Sequence, residues 1–356
     1  MESNPAVSVI VPLYNAEKYI AECLGSLLAQ TFQNFEVIVV DDCSTDNGVD
    51  IVKSYAPKFG GRLNLTRTQK NSGGGGYIPR NIGLQLSSGK YIFFVDADDF
   101  LVETALEIFH AATTQYNADV VYTSSYYFYE NSRTISLVMD NTSTHAKENG
   151  ILDKMTLAID APEENLQRLL LKEEIPHTPW AKFIAREFLI KNKIDFPKII
   201  SGGDFIWTIQ ILYYTKRFLR LPIPLYFYRI NSSSLVNRKK NNLSEQISYC
   251  AAAFLAGAST LYELSNKIDL LKKNPVYLNA ALKVFLDNFL SRTFEERIQL
   301  NSQDIYEIVY REFAEEKKSS ALTIPFFFSV IDSQQKKLLS MQQHIAELES
   351  ELKRKD

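Results

Sequence analysis

YIFFVDADDF, Tyr91 to Phe100, is an apolar, aromatic-rich run that ends in three carboxylates, Asp96, Asp98 and Asp99. Ile92, Phe93, Phe94 and Val95 read as a buried strand. Such a strand delivers Asp96 and Asp98 to the carboxyl edge of a sheet, where open α/β folds bind their ligands. Carboxylates this close repel one another unless a cation or a donor-rich ligand compensates them. Oxygen-only ligands select a hard divalent ion, Mg²⁺ or Mn²⁺, which commonly bridges a carboxylate to substrate phosphates. The plainer reading is an Asp-rich turn capping a helix that begins near Val102. On this stretch alone the two readings stand level, and the rest of the amino-terminal half decides between them.

Outward from it, Val7 to Val11 (VSVIV) and Phe35 to Val40 (FEVIVV) are continuous β-branched runs that predict strands buried on two faces. Between them Tyr19, Ile20, Cys23, Leu24, Leu27 and Leu28 fall at helical spacing. Helices are also predicted over 46–55 and 77–86, and strands at Leu63 to Arg67 and Val120 to Phe128 (VVYTSSYYF). This alternation predicts a mainly parallel sheet with helices on both faces. From about Glu130 to Asn165 periodicity fades, and the polar MDNTSTHAKENG reads as an exposed excursion. Order resumes over 178–190 and in a helix around Asp204 to Tyr214, and Leu221 to Arg229 (LPIPLYFYR) reads as one Pro-punctuated strand. After about residue 242 the pattern turns helical, over 243–266, 276–293 and 302–317. In the terminal stretch 330–356, Leu338, Met341, Ile345, Leu348 and Leu352 follow 3-4-3-4 spacing, predicting an amphipathic helix and a short coiled coil. It either joins two copies as a homo-oligomer or packs on the chain's own helices, since so short a coil is marginal alone.

Composition narrows the class. Of 356 residues, 46% are hydrophobic and 23% charged, as in soluble globular proteins, and the net charge of −3 gives no basic field for nucleic acid. Cys23, Cys43 and Cys250 show no CxxC spacing and read as free thiols in a reducing cytoplasm. The start, MESNPAVSVIVPLYN, lacks the basic region of a signal peptide, and no run approaches the roughly 20 apolar residues of a membrane span. Phe326 to Ile331 (FFFSVI) is too short, so any membrane contact would be peripheral.

Polar residues follow each strand. The first runs into Pro12-Leu13-Tyr14-Asn15-Ala16-Glu17 and the second into Asp41-Asp42-Cys43-Ser44-Thr45-Asp46. Tyr14 can stack on a base and Asp42 can accept an imide N–H, while Ser44 or Thr45 can cap the following helix. Gly73 to Gly76 precede Arg80 and Asn81; without a Gly-Lys-Ser/Thr ending they are no Walker motif, and they read either as a loop beside a donor sugar or as a hinge.

VSVIVPLYNAEKYI, VDDCSTD, PRNIGL and YIFFVDADD, in this order and spacing, resemble the family 2 glycosyltransferases of GT-A fold. The match is dense over roughly the first hundred residues. It implies a Rossmann-like mixed sheet over 1–242, with a nucleotide-binding half over about 1–100 and an acceptor half over 101–242, followed by a helical region over 243–329. It implies an inverting transfer from a nucleotide-diphosphate sugar, most often a UDP-sugar, to a carbohydrate or lipid-linked glycan acceptor in bacterial surface-polysaccharide synthesis at the cytoplasmic membrane face. Pro12, Tyr14, Asn15, Glu17 and Asp42 match the nucleotide pocket. Arg80 and Asn81 would reach the donor, and Asp96, Ala97 and Asp98 match the DxD that holds ribose and metal-diphosphate, with Mn²⁺ or Mg²⁺ on Asp98 and Asp96. Arg229 and Ser234 match a segment that closes over the diphosphate.

An inverting displacement needs a base on the sugar face opposite the diphosphate, hence from a separate segment. Asp204, in Ser201-Gly202-Gly203-Asp204, sits where the family commonly shows Gly-Glu-Asp before a helix; here Gly203 replaces the Glu. The bland reading of Asp204 is a helix cap. Trp180 and Lys182 match a Trp-x-Lys segment near the acceptor, although a core Trp fits as well. Two rivals stand: a nucleotidyltransferase, which would need a basic Gly-rich loop behind the first strand, and a sugar-nucleotide-binding scaffold without turnover.

Overall fold

The computed structural model describes residues 4–73, 75–131, 134–139, 155–199, 201–230 and 243–294. Among the described residues twelve strands form two sheets. The strands are β1 Val7–Leu13, β2 Phe35–Asp41, β3 Leu63–Arg67, β4 Tyr91–Phe94, β5 Phe100–Leu101, β6 Val120–Thr123, β7 Ser125–Asn131, β8 Thr134–Met139, β9 Thr156–Ile159, β10 Lys182–Ala185, β11 Arg217–Leu221 and β12 Tyr226–Arg229. The large sheet has the order β3-β2-β1-β4-β10-β6-β11-β9, and the small one β5-β12-β7-β8. β3, β2, β1 and β4 run parallel, whereas β10 is antiparallel to both β4 and β6. The architecture is therefore a mixed α/β sheet, as expected.

The register sets the functional edge. Leu13 lies opposite Asp41, Asp41 opposite Arg67, and Ile10 opposite Phe94, so the segments after β1, β2, β3 and β4 emerge side by side. Val9, Ile10, Val11, Val37, Ile38, Val39, Ile92, Phe93 and Phe94 are fully buried, which explains why these strands read as unbroken apolar runs.

Helices cover the faces: α1 Ile20–Leu28, α2 Gly48–Tyr55, α3 Tyr77–Leu86, α4 Ala105–Tyr116, α5 Pro162–Leu170, α6 Arg186–Lys191 and α7 Gly203–Tyr214. α1 buries the Ile20, Cys23, Leu24 and Leu27 stripe predicted for it. α3 lies so close on β1 that a Cβ at Gly83 would stand 2.3 Å from Ile10 Cγ2. Further on, α8 Leu243–Ser265, α9 Asp269–Lys273 and α10 Pro275–Phe294 carry the predicted helical pattern.

Three expectations change. VVYTSSYYF is two strands in different sheets, β6 and β7, parted at Ser124, whose N–H bonds to Leu221 O at 3.0 Å. LPIPLYFYR also splits, because Pro222 and Pro224 lack the N–H groups a ladder requires; β11 ends before them and β12 begins after. The span 130–165, read as lacking periodicity, holds the end of β7, β8, β9 and the start of α5, while residues 140–150 of the expected excursion lie outside the described residues. The predicted helix at 302–317 and the coiled coil at 330–356 lie outside the described residues.

Spatial proximity divides the chain into a unit of Met1–Arg238 with Ala256–Phe285, which holds both sheets, and a unit of Lys239–Leu255 with Leu286–Asp356, in which Cys250 and Ala251 are buried. Among the described residues no helix is long and apolar enough to cross a membrane.

Candidate active site

The turn after β4 divides its three carboxylates by role. Asp99 is buried; its Oδ2 accepts the Tyr226 hydroxyl at 2.7 Å and its Oδ1 the Arg229 N–H at 2.8 Å. Tyr226 Oη in turn accepts the Asp96 N–H at 3.1 Å. Burial, reinforced by the charges of Asp98 and Asp96, pushes the Asp99 carboxyl well above the ordinary range. Asp99 thus fastens β12 to the turn, and Asp96 and Asp98 remain partly open. The helix-cap reading does not hold, since α4 starts after Thr104 with no side-chain cap. Ala97, expected to touch the donor, is buried in the core.

Arg229 is committed to the same turn. Its Nε donates to Asp98 O at 2.8 Å, its Nη2 pairs with Glu22, and its guanidinium lies 4.7 Å from the Tyr129 ring centroid and 5.1 Å from that of Tyr19. Ser234 lies outside the described residues.

Arg80 joins the two halves of the site. It is buried in α3, and its Nη2 meets Asp96 Oδ1 at 2.5 Å, its Nη1 meets Gly75 O at 2.5 Å, and Nη1 stands 3.9 Å from Asp204 Oδ1. Asp96 and the base candidate, far apart in sequence, therefore flank one guanidinium. Asp204 opens α7, and its Oδ1 is sealed from solvent without a hydrogen-bond partner, while the side chain keeps 28% of its exposure. Burial lifts its carboxyl to about 7, with Asp96 adding to the rise and Arg80 and Lys182 opposing it. A carboxyl at that value is a far stronger base than an ordinary one and is still deprotonated in good part near neutrality.

At the other end of the edge the loops after β1 and β2 are laced together. Asn15, held at φ 48°, takes a Thr45 N–H on Oδ1 at 2.8 Å and gives its own N–H to Ser44 Oγ at 3.0 Å. Glu17 Oε2 accepts the Asn47 N–H at 3.0 Å, and the Glu17 N–H reaches Asp46 Oδ2 at 2.8 Å. Both side chains thus position the wall of the pocket. Asp42 is buried, with Thr68 Oγ1 at 2.9 Å, Ser72 Oγ at 2.6 Å and the Ser72 N–H at 3.0 Å on its carboxylate. The Ser72 N–H also lies 3.1 Å from the second oxygen, and together these bonds fold the segment 68–72 around the carboxylate. Tyr14 stands 40% exposed, next in the chain to the end of β1, and Pro12 lies where a Cβ at Gly76 would come within 3.2 Å.

Two expected contacts are spent inside the protein. Asn81 exchanges two hydrogen bonds with the Phe196 backbone: its Nδ2 donates to Phe196 O at 2.8 Å and its Oδ1 accepts the Phe196 N–H at 2.9 Å. Lys182 is wholly buried, with Nζ on Pro176 O at 2.5 Å and Thr178 O at 2.9 Å, and burial lowers it to about 7. Trp180 is buried with its face stacked 4.4 Å from Tyr226 and 5.6 Å from Tyr228. A groove of about 670 Å³ lies elsewhere, between α3 and α6, and of the predicted residues only Asn81 lines it.

Sequence reasoning missed Tyr226, Glu22, Ser72 and Tyr77, whose hydroxyl accepts the Gly203 N–H at 3.1 Å. Only Tyr77, closing the glycine run, carried any local signal. As for a metal, no group of three acidic, His or Cys side chains among the described residues could hold one. Two carboxylates on one turn, Asp96 and Asp98, suit an ion whose shell is completed by donor phosphates and water.

With this geometry in place, the family model described as Glycosyl transferase family 2 matches residues 8–177. The uncharacterized glycosyltransferase YibD of Escherichia coli is 29% identical over 253 residues, 70% of this chain and 69% of that protein. The poly(ribitol-phosphate) β-N-acetylglucosaminyltransferase TarS of Staphylococcus aureus is 45% identical over 225 residues, covering 62% of this chain and 35% of TarS. The crystal structure of TarS 1–349 in complex with UDP-GlcNAc superposes with a TM-score of 0.59 at 25% identity, over 86% of this chain and 83% of that one. A mannosyltransferase of Pyrobaculum calidifontis, in complex with GDP-Man and Mn²⁺, shares the fold at a TM-score of 0.50 and 16% identity, over 95% and 88% of the chains. Over residues 8–177 the chain matches glycosyl transferase family 2, and this match, together with its glycosyltransferase relatives, supports a glycosyltransferase on the GT-A fold.

Proposed function

We propose that this glycosyltransferase moves a sugar with inversion from a UDP-sugar to an acceptor hydroxyl of a bacterial surface glycopolymer. The observation that carries this reading is Arg80 between Asp96 and Asp204. It puts a carboxylate suited to the leaving-group side and a base candidate on opposite flanks of one cation. That is the division of labour an in-line displacement requires.

In this reading the pyrimidine stacks on exposed Tyr14 and its imide N–H donates to Asp42. Asp96 and Asp98 would hold a divalent ion, which when bound neutralises the charge that builds on the diphosphate. Arg80 holds Asp96 in place and keeps Asp204 ionisable in a buried setting. Asp204 takes the proton of the acceptor hydroxyl. The complexes of TarS with UDP-GlcNAc and of the mannosyltransferase with Mn²⁺ support the choice of donor class and of metal. The acceptor activity in the TarS name supports a polymer of the cell surface as the acceptor class. Peripheral membrane contact and self-association through 330–356 belong to the same proposal, and light scattering with and without those residues tests the second.

A thermal-shift screen of nucleotide sugars with Mn²⁺ tests the donor. UDP-sugars should raise the melting temperature by mass action, in proportion to the logarithm of their concentration above the dissociation constant. No shift with any UDP-sugar, or a shift with GDP-sugars alone, contradicts it.

A further inference from the structure

We propose that Tyr77 is a positioning residue for Asp204, its hydroxyl holding the first turn of α7 and its ring fixing that turn against the helix of Arg80. The inference rests on the reading of Asp204 as the base. α7 has no side-chain cap of its own, and the first N–H groups of a helix lack intrahelical partners. Tyr77 Oη accepts the one from Gly203, next to Asp204, at 3.1 Å. Arg80 follows Tyr77 one turn along α3, so a single helix carries both the cap of α7 and the cation beside Asp204.

The ring occupies space that two glycines leave open. A Cβ at Gly203 would stand 2.8 Å from Tyr77 Cζ, and one at Gly75 2.3 Å from the same atom, closer than side-chain carbons approach. Gly75 and Gly76, at φ 60° and 67°, turn the chain through a region other residues avoid and bring the ring in. On its other side it stacks on Phe196 at 6.0 Å, the residue whose backbone Asn81 pins and over which the Arg80 guanidinium lies at 5.6 Å. The glycine run and Gly203 thus form one device: both clear space for a ring that sets the spacing of Asp96, Arg80 and Asp204.

The test is Y77F, which keeps the ring and deletes the hydroxyl. Amide exchange at Gly203 is measured by NMR, and UDP release from UDP-GlcNAc is followed with water as acceptor, beside D204N. Y77F should fold, exchange the Gly203 amide about tenfold faster, and lose about tenfold in kcat with KM unchanged, the scale of one lost hydrogen bond. Unchanged exchange or unchanged kcat overturns the proposal. So does a Y77F chain that fails to fold, because the hydroxyl then serves the fold rather than Asp204. If D204N releases UDP at the wild-type rate, the base reading has failed instead. If the wild type releases none, UDP-GlcNAc is not its donor, and amide exchange alone decides the role of Tyr77.

Discussion

Replacing Asp204 by Asn should remove activity and stabilise the fold, and the stabilisation should grow with pH. Burial lifts the Asp204 carboxyl from 3.8 to about 7. The folded state therefore holds the proton more tightly than the unfolded chain does. The contribution of the group to stability is fully present below pH 3.8 and is lost as the pH rises through about 7. At about 1.36 kcal/mol per tenfold, that difference amounts to roughly 4 kcal/mol. The exposure of 28% that the side chain keeps lets water soften it to about 2–3 kcal/mol. The amide of the D204N variant does not titrate, so the stability of D204N minus that of wild type should rise by about 2–3 kcal/mol between about pH 4 and pH 7 and level off above. Urea denaturation of both proteins at a series of pH values reads this directly, because titrating groups not coupled to Asp204 cancel in the difference. A gap that stays constant with pH, or narrows as pH rises, refutes the reasoning. In parallel, kcat for UDP release should fall about 10²–10⁴-fold, the range for a lost general base.

Three further perturbations follow from the same geometry. D98A should abolish donor hydrolysis and transfer while leaving the urea midpoint within error, and full activity in that variant would sink the metal assignment. D42A should weaken UDP binding about tenfold by calorimetry, the scale of one hydrogen bond to a charged group, and should loosen the segment 68–72 that Thr68 and Ser72 tie to it; unchanged affinity removes Asp42 from the base pocket. G83A should destabilise the fold by about 1–3 kcal/mol, since its Cβ would press 2.3 Å from Ile10 Cγ2 and overpack α3 on β1; a neutral result by denaturation would mean that α3 can shift freely.

What the sequence disclosed and what it hid follow from the range of the interactions. β1, β2 and β4 were legible because a strand buried on two faces has no polar alternation to interrupt it, and their ends carry Asp42 and Asp96 wherever the sheet is parallel. The separate roles of Asp96, Asp98 and Asp99 were not legible. They depend on Tyr226 and Arg229, 127 and 130 positions from Asp99. Asn81 looked like a donor contact because it sits beside Arg80, yet its amide is consumed by Phe196, 115 positions on. Lys182 likewise lies in a recognisable segment, but only the fold shows its ammonium closed over two carbonyls. Gly203 looked like a missing carboxylate; in three dimensions it is the space that Tyr77 fills.

The most direct test is the anomer released when UDP-GlcNAc, whose sugar is α-linked, is hydrolysed by the enzyme with Mn²⁺ present and followed by proton NMR before mutarotation. An inverting transferase with Asp204 as base should yield β-GlcNAc first, and D204N should yield none. α-GlcNAc as the first product, or release that D204N leaves unchanged, would contradict the account.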